Sequence, residues 1–431
     1  MKITCIFFKF CYTIIIMLMN LEIDNFCIYS KPVEFSMEAD MRSKRLAPNV
    51  HQENGWNILK SAAIFGANNS GKTCLVKAIR VFWGLIMNQP TEISANLFSK
   101  NPNVTLAVTF LERGSVWRFA VKQSARGILY EEFAEITKDA YSNKARKIVY
   151  LRDFENDHFE CASSDITPIL KIMSKGNILI NVVDTTQFLL LTKVRRILRN
   201  FANRIVIVDM NNIPILKTIS AIKNHTKDEK QIKDFIRQAD LDLEDITYSE
   251  DMKLTANPMN PPIHPAEEIL IRQSLEDQLR LTSVYHGIKV RSFQYDSTGT
   301  KKIIAIASYI IEALRANKIL VIDELDSSLH FKLTRAIVNL FNNEKNDKAQ
   351  LIFTLHDISL LDCKRLFRKE QIWFVNKDEK GPDLYSLSKF TAADDGVRDT
   401  SDIIEKYKKG LFSSLPEPNL LNTLLEVTDD K

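Results

Sequence analysis

Apolar residues in this chain fall into two kinds of short run. The first kind has no polar alternation: Ser61–Phe65, Ile319–Ile322 and Leu351–Phe353. Uninterrupted runs of strand length suit central parallel strands covered on both faces. The second kind alternates. Val104–Leu111 and Ser115–Lys122 predict a hairpin with Gly114 in its turn. Leu129–Thr137 and Lys147–Asp153 predict further strands of the same antiparallel sheet, and Asn20–Glu38 predicts two strands with Pro32 at the bend. Helical spacing runs from Cys74 to about Asn88 and over Thr185–Ala202, Glu229–Ala239 and Ile303–Leu314. Ile205–Val208 stands as an isolated β-branched run. Asn257–Pro265 carries four prolines, so no helix passes through it and it reads as a linker. No long heptad run is visible. Residues 161–265 are therefore expected to form a compact, mainly helical insertion and not a coiled coil.

The loops between these runs carry the chemistry. Gly66-Ala67-Asn68-Asn69-Ser70-Gly71-Lys72-Thr73 fits G-x-x-x-x-G-K-[ST], with an apolar strand before it and a helix after it. That context directs backbone N–H groups at a triphosphate, at the positive end of a helix. Lys72 would reach the β- and γ-phosphates, and the Thr73 hydroxyl would hold Mg²⁺. Gly66 and Gly71 would permit a close backbone approach that a Cβ blocks. Ile319-Leu320-Val321-Ile322-Asp323-Glu324 places two carboxylates at the end of a buried strand, where ligands bind in open α/β sheets. Asp323 is expected to hold Mg²⁺ directly or through water, and Glu324 to act as general base toward an attacking water. The run Gln350–Thr354 leads to His356, which could contact the γ-phosphate as a sensor. Upstream, Asp296-Ser297-Thr298-Gly299-Thr300-Lys301-Lys302 precedes a helix, with Ser297 as its N-cap. A helix start built from Ser, Gly and Thr is an anion site.

The order of these motifs resembles ABC-type ATPases of the SMC, RecF and OLD-like group. More narrowly it is similar to the RloA-type AAA-family ATPases of bacterial anti-phage and abortive-infection loci. The matching residues are Ser61–Ala78, Asp296–Lys302, Val321–His330 and Ile352–Leu361. Gln371–Val375 and Leu384–Leu387 look like that family's closing hairpin, and Asn20–Phe26 like its first strand. The resemblance implies an α/β fold: an ABC-type P-loop head with an antiparallel β subdomain and a mainly helical insertion. It implies ATP bound between two protomers, with Ser297, Thr298 and Gly299 of one facing Gly66–Thr73 of the other. Asp326, Ser327 and Ser328 resemble the D-loop of that interface. The chain departs from the family where Phe331 follows His330 and where Cys27 replaces a basic residue near the adenine. No Q-loop glutamine is evident; Gln123 reads better as a strand residue.

The organisation expected is then an N-terminal extension over 1–19 that reflects a misassigned start, and the first half of the head over 20–160. The insertion and linker take 161–265, the second half of the head 266–398, and a tail 399–431. Ile14–Met19 is apolar but too short to span a bilayer, so no membrane anchor is expected. Six cysteines without a C-x-x-C or Cys/His cluster argue against zinc or a disulfide framework and fit a reducing cytoplasm. A formal charge of +4 over 431 residues does not by itself imply nucleic acid. After His356 there is little room for a Toprim-type metal nuclease, and Asp394-Asp395 is a single acidic pair. The expectation is an ATP- and Mg²⁺-dependent ATPase, a homodimer or higher homo-oligomer, that controls a separately encoded effector in anti-phage defence. The alternative is a RecF-like repair clamp that binds DNA. A transporter subunit is disfavoured, because Ser297-Thr298-Gly299-Thr300 is not the transporter signature.

Overall fold

The uninterrupted apolar runs become the centre of a six-stranded sheet. The computed structural model describes residues 15–139, 143–239, 242–250, 265–346, 348–378, 381–398 and 400–412. The sheet order is Ile205–Asp209, Ile319–Asp323, Gln350–Leu355, Ser61–Gly66, Ile372–Asp378, Gly381–Ser386. The first five strands are parallel, and the last closes the sheet as an antiparallel hairpin partner. Alternate side chains of the central strands enter different cores. Ala62, Ile64, Val321 and Ile352 face one cluster, while Ala63, Phe65, Ile322 and Phe353 face the other. Both faces are apolar, which is why these strands show no polar alternation.

Helix Lys72–Met87 covers the first face, through Leu75, Ile79 and Phe82. Helices Thr298–Ala316 and Phe331–Asn342 cover the second, through Ile303, Ile306, Ile337 and Phe341. Beside the first face lies a seven-stranded antiparallel sheet. Its order is His158–Cys161, Lys144–Asp153, Gly127–Lys138, Ser115–Ser124, Val104–Glu112, Ile16–Asp24, Val33–Ser36. The predicted hairpin turns at Arg113-Gly114, both at positive φ. Fully buried Gln350 ties the two sheets together. Its amide donates to the carbonyls of Leu18 and Leu59, each at 3.0 Å, and its Oε1 accepts the Leu18 N–H at 2.7 Å.

Two expectations need correction. The first strand starts at Ile16, not Asn20: Ile16–Leu18 pair with Phe110–Glu112, and Ile16–Met19 are buried in the core. The boundary at residue 19 therefore cuts a strand whose apolar run is core and not an appendage. The described residues of 161–265 are mainly helical, but they do not form one separate lobe. Helix Leu189–Ala202 packs Val194, Leu198 and Phe201 into the core shared with the antiparallel sheet, where Phe201 stacks on Phe110 at 4.2 Å. Ile205–Asp209 becomes the edge strand of the parallel sheet, in register with Ile319–Asp323. Only the later part forms a small cluster of its own. There Ile219, Ile222, Ile232, Ile236 and Ile246 pack with Leu281 onto Ile304 and Ala307 of helix Thr298–Ala316.

Among the described residues, no helix is long and apolar enough to cross a membrane. The proline-rich linker before Pro265 and the tail beyond Phe412 lie outside the described residues.

Candidate nucleotide site

Three adjacent parallel strands deliver their C-terminal ends to one edge of the sheet, and the candidate residues collect there. Strand Ser61–Gly66 opens into the loop Ala67–Gly71, and helix Lys72–Met87 begins at once. The loop is tight. A Cβ on Gly66 would lie 2.6 Å from the Val375 carbonyl oxygen and 2.7 Å from Ser70 Oγ. Gly71 sits at φ 118, where a Cβ would meet Ile28 Cδ1 at 2.6 Å. Asn69 takes a left-handed conformation, which asparagine tolerates. Tyr29, buried beneath, donates its hydroxyl to the Gly71 carbonyl at 3.2 Å.

Lys72 is buried, and its ammonium donates to the carbonyls of Gly66 at 2.7 Å and Ala67 at 2.9 Å. Burial pushes its pKa down to about 8, and the nearby carboxylates of Glu324, Asp326 and Asp323 oppose that shift. Its Nζ lies 3.4 Å from His356 Nδ1. The other ring nitrogen of His356 is 3.7 Å from Glu324 Oε1. Lys72, His356 and Glu324 thus form one line across three strands.

Asp323, largely buried, accepts the Thr354 hydroxyl on Oδ1 at 2.5 Å. The same hydroxyl accepts the Glu324 backbone N–H at 2.8 Å. Glu324 sits at φ 56, an uncommon conformation for a side-chain-bearing residue and one that concentrates at functional sites. Its Oε2 accepts the amide of Asn211 at 2.7 Å. Asp326 anchors the loop after the His356 strand: one oxygen accepts the N–H groups of His356 at 2.8 Å and Asp357 at 2.6 Å. Its other oxygen is buried without a hydrogen bond.

Several features fit a triphosphate and Mg²⁺. Ser70 Oγ is buried with no hydrogen-bond partner, at the loop that would wrap the phosphates. The two glycines let the loop pack closely, since Cβ atoms there would strike Val375, Ser70 and Ile28. Thr73 is exposed at the helix start, and Asp323 ends a strand of the same edge. Mg²⁺ is commonly held by one or two protein oxygens together with phosphate, so this sparse donor set suits it.

The signature residues make their contacts away from the phosphate-loop residues. Ser297 caps helix Thr298–Ala316 by accepting the Thr300 N–H at 3.1 Å. A Cβ on Gly299 would come within 2.7 Å of the Ser328 carbonyl oxygen, so the signature rests on the D-loop. Among the described residues, no hydrogen bond joins Ser297, Thr298 or Gly299 to residues 66–73.

Sequence reasoning missed two residues. Thr354 is the one polar residue in a buried strand tip, and that singularity was its signal. Asn211 follows Asp209, whose strand ends level with Asp323. The short run Ile205–Val208 gave no sign of that pairing.

A phosphate loop, an Asp-Glu strand and a histidine strand side by side, with an antiparallel sheet on one flank, define a P-loop nucleotide-binding α/β fold. The chain belongs to the family described as "AAA domain, putative AbiEii toxin, Type IV TA system", whose model matches residues 61–362. Similar solved structures include the SMC head domain from Thermotoga maritima, with 13% identity and a TM-score of 0.39, covering 86% of this chain and 98% of that one. An SmcHead bound to the C-winged helix domain of ScpA has 15% identity and a TM-score of 0.42, covering 86% of this chain and 97% of that one. A Pyrococcus furiosus Smc head with an extended coiled coil, bound to the C-terminal domain of ScpA, has 14% identity and a TM-score of 0.42, covering 87% and 97%. No curated protein matches the sequence.

Proposed function

We propose that this protein binds and hydrolyses ATP with Mg²⁺, dimerises on ATP, and thereby controls a separately encoded effector in anti-phage defence. The observation that carries the ATPase reading is the line Lys72, His356, Glu324 beside Asp323 at one sheet edge. The loop N–H groups and Lys72 hold the β- and γ-phosphates. Thr73 and Asp323 are the residues that would hold Mg²⁺, which neutralises charge on the phosphate oxygens. Glu324 Oε1 takes the proton of the attacking water. His356 lies between that oxygen and Lys72, where it contacts the γ-phosphate and registers its departure.

The absence, among the described residues, of a hydrogen bond between the signature and the phosphate loop of the same chain supports dimerisation. A helix start with Ser297, Thr298 and Gly299 is suited to an anion. The γ-phosphate held by a second copy supplies one. The family description names a "putative AbiEii toxin, Type IV TA system". That supports a partner encoded elsewhere.

The test is phage challenge of cells carrying this gene alone or with its native neighbours, in parental and Lys72→Ala forms. Protection only with neighbours, lost in Lys72→Ala, supports the reading. Full protection from this gene alone contradicts effector control. Salt-sensitive, ATP-dependent duplex binding by the purified protein would favour the repair clamp instead.

A further inference from the structure

Glu324 is held from a direction the motifs do not reveal. Asn211 belongs to the segment between the two halves of the head, just past strand Ile205–Asp209. Two contacts fix its place. The Met210 N–H donates to the Asp323 carbonyl at 3.1 Å, continuing the sheet by one bond. The Asn211 N–H donates to Asp209 Oδ1 at 2.9 Å. So placed, the Asn211 amide donates to Glu324 Oε2 at 2.7 Å. Glu324 Oε1 is left facing His356.

The other end of Asn211 leads to the signature helix. Its Oδ1 accepts the Ser327 hydroxyl at 3.1 Å. The Ser327 oxygen accepts the Lys302 ammonium at 2.8 Å, and Lys302 lies in helix Thr298–Ala316, one turn past Gly299. One chain of hydrogen bonds therefore runs from the signature helix through the D-loop and Asn211 to the catalytic carboxylate.

We infer that Asn211 is a positioning residue for ATP hydrolysis: it fixes one oxygen of Glu324 so that the other meets the water, and it couples that orientation to the signature helix through Ser327 and Lys302. This rests on the ATPase reading above. A carboxylate with both oxygens free rotates about its terminal torsion, which is broad. An amide donor on Oε2 removes that freedom without taking the lone pairs the water needs. Movement of the signature helix on contact with a second copy shifts Lys302, and the shift reaches Glu324 through two side chains. Among the described residues, neither Asn211 nor Lys302 hydrogen-bonds to residues 66–73, so the effect is expected on turnover and not on ATP affinity.

The experiment measures kcat, KM and ATP affinity for Asn211→Ala, Asn211→Asp, Asn211→Gln, Lys302→Met, the double variant Asn211→Ala/Lys302→Met, and Glu324→Gln. Asn211→Ala should lower kcat ~10- to 100-fold, the range for a misoriented reacting group, with KM within about twofold. Asn211→Asp keeps the shape but loses the N–H, and should fall at least as far. Asn211→Gln retains an amide and should recover part of the rate. Lys302→Met should cost turnover in the parent but little more in the Asn211→Ala background, because one chain is cut in both. Parental kcat in Asn211→Ala beside an inactive Glu324→Gln overturns the inference and leaves the ATPase reading standing. Fully additive losses in the double variant overturn the coupling to the signature. Parental turnover in Glu324→Gln overturns the assigned base, and the inference with it.

Discussion

The Thr354 hydroxyl bridges the two acidic positions of the site: it donates to Asp323 Oδ1 at 2.5 Å and accepts the N–H of Glu324 at 2.8 Å. One hydroxyl thus orients the carboxylate of Asp323, the proposed Mg²⁺ ligand, and holds the unusual backbone of Glu324, the proposed general base. Thr354→Val keeps the volume and removes both bonds. It leaves the Glu324 N–H and one Asp323 lone pair unsatisfied, at a cost of about 1–3 kcal/mol each where buried. The expected outcome is a lower unfolding midpoint in urea and a higher Mg²⁺ concentration for half-maximal ATPase rate. Thr354→Ser should behave close to the parent.

Lys72 gives the site a pH dependence with a definite sign. Burial lowers its pKa to about 8. The charged form, which attracts phosphate, prevails below that value and is lost as pH rises through it. ATP bound beside the ammonium favours the charged form. Affinity should therefore fall between about pH 8 and 10, and binding in that window should take up a proton. Calorimetry in buffers of different ionisation enthalpy reads both effects. Lys72→Ala should bind weakly throughout and show no such uptake.

The signature makes a steric prediction. A methyl group on Gly299 would lie 2.7 Å from a backbone oxygen of Ser328, and backbone cannot swing aside as a flexible side chain can. Gly299→Ala should push the signature helix off the D-loop. Nucleotide affinity should stay within about twofold, while turnover and ATP-dependent dimerisation fall together. Fluorescent-nucleotide titration and light scattering separate the two. Ser297→Arg should give the same pattern by blocking the helix start.

Stability far from the nucleotide has one weak point. Arg152 and Glu131 form a fully buried ion pair at 2.9 Å. Glu131 also accepts the Tyr150 hydroxyl at 2.6 Å and the Leu179 N–H at 2.9 Å, and Arg152 donates to the Ser174 carbonyl at 2.8 Å. The pair fastens the segment after the antiparallel sheet onto that sheet. Arg152→Ala strands a buried carboxylate and should cost about 3–5 kcal/mol. Burial already pushes the Glu131 carboxyl upward, despite Arg152. An acid with a raised native pKa binds more protons folded than unfolded, so its variant loses stability as pH rises above the ordinary carboxylate range. Arg152→Ala should therefore melt higher at acid pH than at neutral pH, and Glu131→Gln added to it should recover part of the loss.

Much of the site was legible because its chemistry is local in sequence. The phosphate loop, Asp323-Glu324 and His356 each follow an apolar strand, and parallel strands bring such ends to one edge. What sequence reading could not supply was long-range pairing. Ile205–Asp209 finds its partner at Ile319–Asp323 over a hundred residues later, and a five-residue run carries no record of that neighbour. Asn211 was invisible for the same reason, since its role exists only once the two strands lie side by side. Ile16–Met19 misled differently. An apolar run before the family-like first strand reads as an extension, and only its pairing with Phe110–Glu112 reveals a core strand.

The central claim is that Glu324 is the base of an ATPase whose nucleotide is held by Lys72 and the glycine loop. The most direct test is single-turnover hydrolysis of Mg-ATP by purified Glu324→Gln, with bound nucleotide measured in the same sample. The account predicts that ATP stays bound while hydrolysis slows on the order of 10²-fold or more. Hydrolysis at the parental rate would contradict it.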